Sequence, residues 1–281
     1  MKVSIITPGL NSLPYLQACA ASVADQAGVE KEHIVVDGAS TDGTVEWLAQ
    51  RGSSGSFRWF SEPDRGMYDA INKGLRMAGG DLAAYLNCDE QYLPGTLAFV
   101  ADYFARHSAV DILFGSALLI RPDGSLLAYR KAYTPRWLYI LADHLYVLSC
   151  AMFFRRRILE RGLFFDPAWR DVGDVDFVVR VLRGGFRAAW TSRYLSAFTM
   201  TGANMSAGDQ ARLEHDRLRA RAPRWAQKMR WALTGLRRVE KGWCGAYRQR
   251  WPLEYEVFPP GPSLRRVRFV AEGADFRWKT E

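Results

Sequence analysis

The side chains best suited to chemistry lie in short polar clusters that follow apolar runs. Thr7, Pro8 and Asn11 close the first run, and Asp37, Ser40 and Asp42 fall in the stretch DGASTDG after the second. Glu62, Asp64 and Arg65 follow the third, and Asn87, Asp89 and Glu90 the fourth. Asp174 and Asp176 open a later helical pattern. Such a rim is too acidic for a bare phosphate. It suits a nucleotide whose sugar hydroxyls meet carboxylates and whose phosphates are held through Mg²⁺ or Mn²⁺, which prefer oxygen ligands. Each cluster also has a plain structural reading. Asp37, Asp42 and Asp89 could cap turns and helices, Asp174 and Asp176 could serve a helix dipole, and Arg65 could be a solvated charge. The functional reading gains because the clusters sit at strand ends, where open α/β sheets bind ligands.

The elements that position these clusters alternate. Strands are expected over Lys2–Thr7, His33–Asp37, Phe57–Phe60 and Leu82–Leu86. Helices are expected over Leu13–Gln26, Thr44–Arg51, Met67–Met77 and Pro94–Arg106, the last with proline in its first turn. This alternation predicts a doubly wound, mainly parallel but mixed sheet. Ile112–Ile120 and Leu126–Arg130 flank a Pro-Asp-Gly turn and read as a hairpin. Asp174–Arg183 is a further helix; Ser206 and Asp209 suggest a capping box, and Pro252–Pro262 reads as a loop. A boundary near Ser206 divides a catalytic domain, 1–205, from an extension, 206–281.

Composition narrows the classes. With 281 residues, 48% hydrophobic and 24% charged, the chain can bury a sizeable core. The longest uncharged apolar stretches, such as Leu145–Phe154, are too short for a membrane span. Thr7-Pro8-Gly9 interrupts the N-terminal run, which argues against a signal peptide. Cys19, Cys88, Cys150 and Cys244 are far apart and read as reduced thiols of a cytosolic protein. His33, His107, His144 and His215 show no metal-ligand spacing. The +8 charge is concentrated: residues 212–281 hold 17 basic and 8 acidic side chains, while the rest is near neutral. Trp225, Trp231, Trp243 and Trp251 are interleaved there with Arg224, Lys228, Arg230, Arg237, Arg238, Lys241, Arg248 and Arg250. Tryptophan among cations suggests peripheral docking on the cytoplasmic face of a membrane; the alternative is packing on the body, with arginine stems covering apolar surface.

The stretch Ile34–Thr44, IVVDGASTDGT, resembles the nucleotide-binding signature of inverting family 2 glycosyltransferases with the GT-A fold. Ser61–Gly74, SEPDRGMYDAINKG, is similar to the next block of a bacterial polysaccharide-assembly branch. Leu86–Glu90 stands where that family carries its metal motif, and Asp174-Val175-Asp176-Phe177 resembles its acceptor-side motif. The four blocks occur in the family's order and spacing. The resemblance implies that Asp37 binds the base or ribose and that Thr7, Pro8 and Asn11 line the base pocket. Ser40 and Asp42 shape the turn beside the nucleotide, with Asn87 at the donor and Asp89 on Mn²⁺ or Mg²⁺. Asp174 is the general base.

Departures from the family pattern are informative. Asn87-Cys88-Asp89 keeps only the last carboxylate of a strict motif, Ile71 stands where many relatives have arginine, and Gly173 replaces a glutamate or alanine. Arg65 or Lys73 must then supply charge to the diphosphate. The implied reaction is one in-line displacement from a nucleotide sugar, with UDP favoured over GDP. Its acceptor is a hydroxyl of a lipid-linked or oligosaccharide glycan. Three rivals stand beside it. A nicotinamide oxidoreductase lacks its glycine fingerprint after the first strand. A sugar-phosphate nucleotidyltransferase lacks a Gly-rich basic first loop. A glycan- or nucleic-acid-binding module lacks an RNA-binding aromatic signature or a helix-turn-helix.

Overall fold

The computed structural model describes residues 1–202, 209–261 and 264–275. Strands β1 (Lys2–Gly9), β2 (Glu30–Asp37), β3 (Phe57–Ser61) and β4 (Leu82–Tyr85) alternate with helices α1 (Leu13–Ala24), α2 (Thr44–Arg51) and α3 (Met67–Met77). Next come β5 (Glu90–Tyr92), α4 (Thr96–Arg106), the hairpin β6 (Ile112–Ile120) and β7 (Leu126–Arg130), and α5 (Trp137–Ala142). Strand β8 (Met152–Arg155), α6 (Arg157–Glu160), α7 (Gly173–Arg183) and β9 (Ala188–Thr199) follow. The extension carries α8 (Asp209–Ala220), α9 (Arg224–Lys228), α10 (Arg230–Trp243), β10 (Leu253–Val257) and β11 (Val267–Ala271).

The main sheet runs β3-β2-β1-β4-β8-β6-β9-β5, with β7 paired to β6. Its first four strands are parallel. Beyond β4 the pairings with β8, β7 and β5 are antiparallel and only β6–β9 is parallel. The expected mixed sheet is present, with a run of four parallel strands in one half and the parallel pair β6–β9 in the other. Helices α3 and α7 pack Ile71, Leu75, Phe177 and Val178 on one face of the sheet. Helices α1 and α4 pack Cys19, Val23, Val100 and Phe104 on the other. Close approach of α3 needs Gly74, because a Cβ there would lie 2.6 Å from Ile6.

Several expectations are corrected. Helix α4 starts at Thr96, not Pro94, after Gly95 at φ 71°. The supposed loop Pro252–Pro262 contains β10, which pairs antiparallel with β11 over Leu253–Val257, so the extension is helical followed by a two-stranded sheet. Ser206 and the expected boundary lie outside the described residues, and the capping box cannot be placed. Arg237, expected among the membrane-docking cations, is 2% exposed. It donates to the Tyr133 hydroxyl at 2.7 Å and pairs with Asp143. Burial of an arginine requires such partners. Among the described residues no helix is long and apolar enough to cross a membrane.

Candidate active site

The donor side is built by strand ends that bind one another. Asp37 closes β2 with no exposed surface. It accepts from the Ser40 amide at 2.9 Å, the Ser40 hydroxyl at 2.5 Å and the Ser61 hydroxyl at 2.6 Å. The Asn11 amide donates to Ser40 Oγ, and Asn11 Oδ1 accepts from the Thr41 amide, both at 2.8 Å. The turn also holds two non-glycine residues in the left-handed region, Asn11 at φ 49° and Ala39 at φ 67°. Asp42 bridges two helix starts, accepting from the Leu13 amide at 3.0 Å and the Thr44 hydroxyl at 2.6 Å. Burial alone would raise its pKa, but hydrogen bonds from Thr44 and Leu13 hold it below the usual carboxylate range. Thr7 is placed differently from the expected base pocket. It is fully buried, and its hydroxyl lies 2.8 Å from His33 Nε2, inside the sheet layer. Pro8 is buried, and its carbonyl accepts from the Cys88 thiol at 3.2 Å.

Asp64 was not singled out as a donor contact. Its Oδ2 would sit 2.8 Å from a Cβ on Gly38, which places this carboxylate beside the Asp37 turn. The signal was present, since Asp64 belongs to the third strand-end cluster. Arg65 is 76% exposed in its side chain and pairs with Asp69 at 2.9 Å. Lys73 binds Glu62 at 2.7 Å and the Pro63 carbonyl at 3.1 Å. Arg65 thus stands just before α3 and Lys73 within it, and the exposed Arg65 guanidinium is tied to the buried Asp69 carboxylate.

At the end of β4, Glu90 is 1% exposed and folds back on Asn87, accepting its amide at 2.7 Å. Burial first, and then the Asp89 charge, push the Glu90 carboxyl well above its ordinary pKa. The Asn87 side-chain oxygen is buried without a hydrogen-bond partner. That orphaned acceptor two residues from Asp89 fits a hard cation, although no group of three or more His, Cys, Asp or Glu side chains gathers among the described residues. Cys88 ties the donor turn to this cluster. Its thiol is raised by burial and then by charges that include Asp89 and Asp37.

The opposite wall carries Asp174, at the start of α7. Desolvation raises its pKa to about 6 despite the Val175 amide at 2.8 Å and the Tyr68 hydroxyl at 3.4 Å. The Asp174 charge also contributes to the raised values of Glu90 and Tyr85, which places it beside the Asp89 cluster. Gly173 is explained by Tyr68. A Cβ at 173 would lie 2.6 Å from the tyrosine ring, so the usual larger residue cannot coexist with this ring position. Asp176 points elsewhere, pairing with Arg180 at 2.6 Å and Arg221 at 3.1 Å.

Sequence reasoning did not find Glu214, on α8. It is 1% exposed and accepts from the amides of Arg170 at 3.0 Å, Asp171 at 2.9 Å and Val172 at 3.3 Å, the residues leading into Asp174. Its burial raises its pKa, but these amides more than offset that and leave the carboxyl below its usual range. No local pattern marks this residue, because its partners are more than forty positions away.

Comparison with known proteins agrees with this geometry. The family model described as "Glycosyl transferase family 2" matches residues 4–163. A PGL/p-HBAD biosynthesis glycosyltransferase of Mycobacterium bovis is 34% identical over 184 residues, covering 63% of this chain and 68% of that protein. Staphylococcus aureus TarS, crystallised with UDP-GlcNAc, superposes with a TM-score of 0.63 at 19% identity over 86% of this chain and 72% of its own. A Pyrobaculum calidifontis mannosyltransferase in complex with GDP-Man and Mn²⁺ gives a TM-score of 0.54 at 18% identity, covering 88% and 81%. With a family match over more than half its length and a GT-A arrangement around the strand-end carboxylates, the chain belongs to glycosyltransferase family 2.

Proposed function

We propose that this glycosyltransferase moves a sugar, with inversion, from a UDP-sugar to a hydroxyl of a lipid-linked or oligosaccharide acceptor in surface polysaccharide or glycolipid assembly. The observation that carries the reading is Asp174. Its pKa of about 6 makes it a competent proton acceptor near neutral pH, and its charge acts on Glu90 in the cluster after β4. The acceptor hydroxyl gives its proton to Asp174 as it attacks the anomeric carbon. Asp37, Ser40 and Asn11 hold the nucleoside, and Arg65 or Lys73 faces the leaving diphosphate. A divalent cation held by Asp89, with the Asn87 oxygen nearby, would supply charge neutralisation there. TarS with UDP-GlcNAc supports a UDP donor, and the mannosyltransferase with Mn²⁺ supports a metal. The test is product release. UDP-glucose, UDP-galactose or UDP-GlcNAc with Mn²⁺ should yield UDP. Pyrophosphate from UTP and sugar-1-phosphate would instead identify a nucleotidyltransferase.

The extension supports docking of the enzyme on an anionic membrane surface. Leu236, Val239 and Trp243 recur at three- and four-residue spacing on α10 and are exposed, Trp243 at 90%. Trp225 and Met229 are exposed just before it. Ala226, Leu233 and Arg237 face the body instead. Arg224, Lys228 and Arg238 are exposed on the same helices, and a cavity of about 380 Å³ beyond α10 is lined by Lys131, Arg248 and Arg250. Each cation near an anionic surface contributes about 1 kcal/mol. The protein should pellet with anionic vesicles at low salt and not at high salt. Changing Arg224, Lys228 and Arg238 to Ala should abolish this, whereas equal, negligible pelleting with anionic and neutral vesicles would refute docking. Arg237 is unsuitable for that test because it is buried.

A further inference from the structure

We infer that Glu214 is a positioning residue, through which the C-terminal extension sets the loop that presents Asp174. This rests on the reading of Asp174 as the base. Three consecutive amides, from Arg170 to Val172, converge on one buried carboxylate. Gln210 braces that carboxylate from the preceding turn of α8, donating at 3.1 Å. Consecutive amides pointing at one anion fix the backbone of the loop. Gly173 follows at once and Asp174 after it, so the loop determines where α7 begins. A second strut acts one turn later. Arg221, just past α8, reaches Asp176 at 3.1 Å and lies over the Trp169 ring at 4.8 Å. The base is therefore held on one side by Tyr68 and on the other by a segment beyond the matched family region, which ends at residue 163.

The test compares Glu214→Ala, Glu214→Gln and Asp174→Asn with the full-length protein. Hydrogen exchange at the amides of residues 170–174 should quicken in Glu214→Ala, while residues 37–44 keep their protection. Using the UDP-sugar with the fastest UDP release, kcat per UDP-binding site should fall about tenfold or more, since small misplacements of a reacting group are costly. The donor KM should stay within about twofold, as donor contacts lie on other elements. Glu214→Gln, which keeps one acceptor oxygen, should lie between Ala and wild type in both readouts, and it carries the test should Glu214→Ala not fold. Unchanged exchange at 170–174 would overturn the clamp whatever the activity. Faster exchange with unchanged kcat per site, or kcat and UDP affinity falling together, would overturn the positioning role. Full turnover in Asp174→Asn would overturn the base reading and the positioning role with it. The exchange readout needs no donor and so reports on the clamp separately.

Discussion

The donor half and the base half of this cleft are built by opposite strategies. In the donor half, Asp37, Ser40, Asn11 and Asp42 follow successive strand ends, and each side chain accepts from a backbone amide of that turn or of the helix after it. The residues proposed to face the nucleotide are also the ones that fold the turn, so under that reading a change at any of them should affect binding and stability together. In the base half, Asp174 has one weak side-chain partner, Tyr68, and its loop is fixed by Glu214 and Arg221 from the extension. The contacts that hold this loop lie beyond the family match, which ends at residue 163. The comparison teaches that the proposed donor turn is held by local contacts, while the loop that presents the proposed base is held by long-range ones.

The comparison can be broken most severely at Asp174. Asp174→Asn should keep the fold and lose turnover by about 10²–10⁴-fold, the range for a general base; steady-state UDP release measures it. If Asp176→Asn loses more, the two aspartates exchange roles, contrary to the ion pairs that occupy Asp176. Next in size, Gly173→Ala should lower kcat on the order of 10²-fold, because the new Cβ must displace the Tyr68 ring or shift α7. Pairing it with Tyr68→Ala should recover part of that loss if the clash is the cause.

Acidity separates the halves further. Asp174 titrates at about 6 and must be ionised to accept a proton, so turnover should fall about tenfold per unit as pH drops below that value. In the donor half two shifts run downward: Asp42 lies below its ordinary 3.8, and burial lowers His33 to about 3. The Asp42 caps therefore stabilise the protein above the ordinary carboxylate pKa and are lost only below it. Between pH 4.5 and 6 UDP binding, followed by calorimetry, should persist while turnover declines. The smallest effect is expected from Asp42→Ala. Losing caps on α1 and α2 should cost roughly 1–2 kcal/mol of stability, read in a denaturant titration.

What was legible in the sequence follows the same division. Helices α2 and α3 and the β6–β7 hairpin have the bounds that local pattern predicted, because apolar spacing and turn residues decide them. Strand β5, three residues long, and β8, inside the apolar stretch ending at Phe154, depend on pairing with distant strands, which no local period reveals. The register of β9 with β6 shifts between Phe114 and Ala117, an irregularity that no local period reveals. Arg237 read as surface because arginine usually is. Its burial is decided by Asp143 and Tyr133, about a hundred residues away. Gly173 was legible as a departure, but its reason needed the Tyr68 ring in place. The strand-end position of these carboxylates was legible, since chain order puts them after successive strands, but the burial of Glu90 against Asn87 was not.

The most direct test of this division is calorimetric titration of UDP with Mn²⁺ into Asp37→Ala and Asp174→Asn, with turnover measured on the same preparations. Asp174→Asn should bind UDP within about twofold of wild type while its turnover is lost, as expected for sites with no shared partners. Asp37→Ala should lose at least about tenfold in affinity, or about 1.4 kcal/mol, because the Ser40 turn loses its acceptor. A parallel loss of UDP affinity in Asp174→Asn, or unchanged affinity in Asp37→Ala, would contradict the separation of donor recognition from catalytic placement.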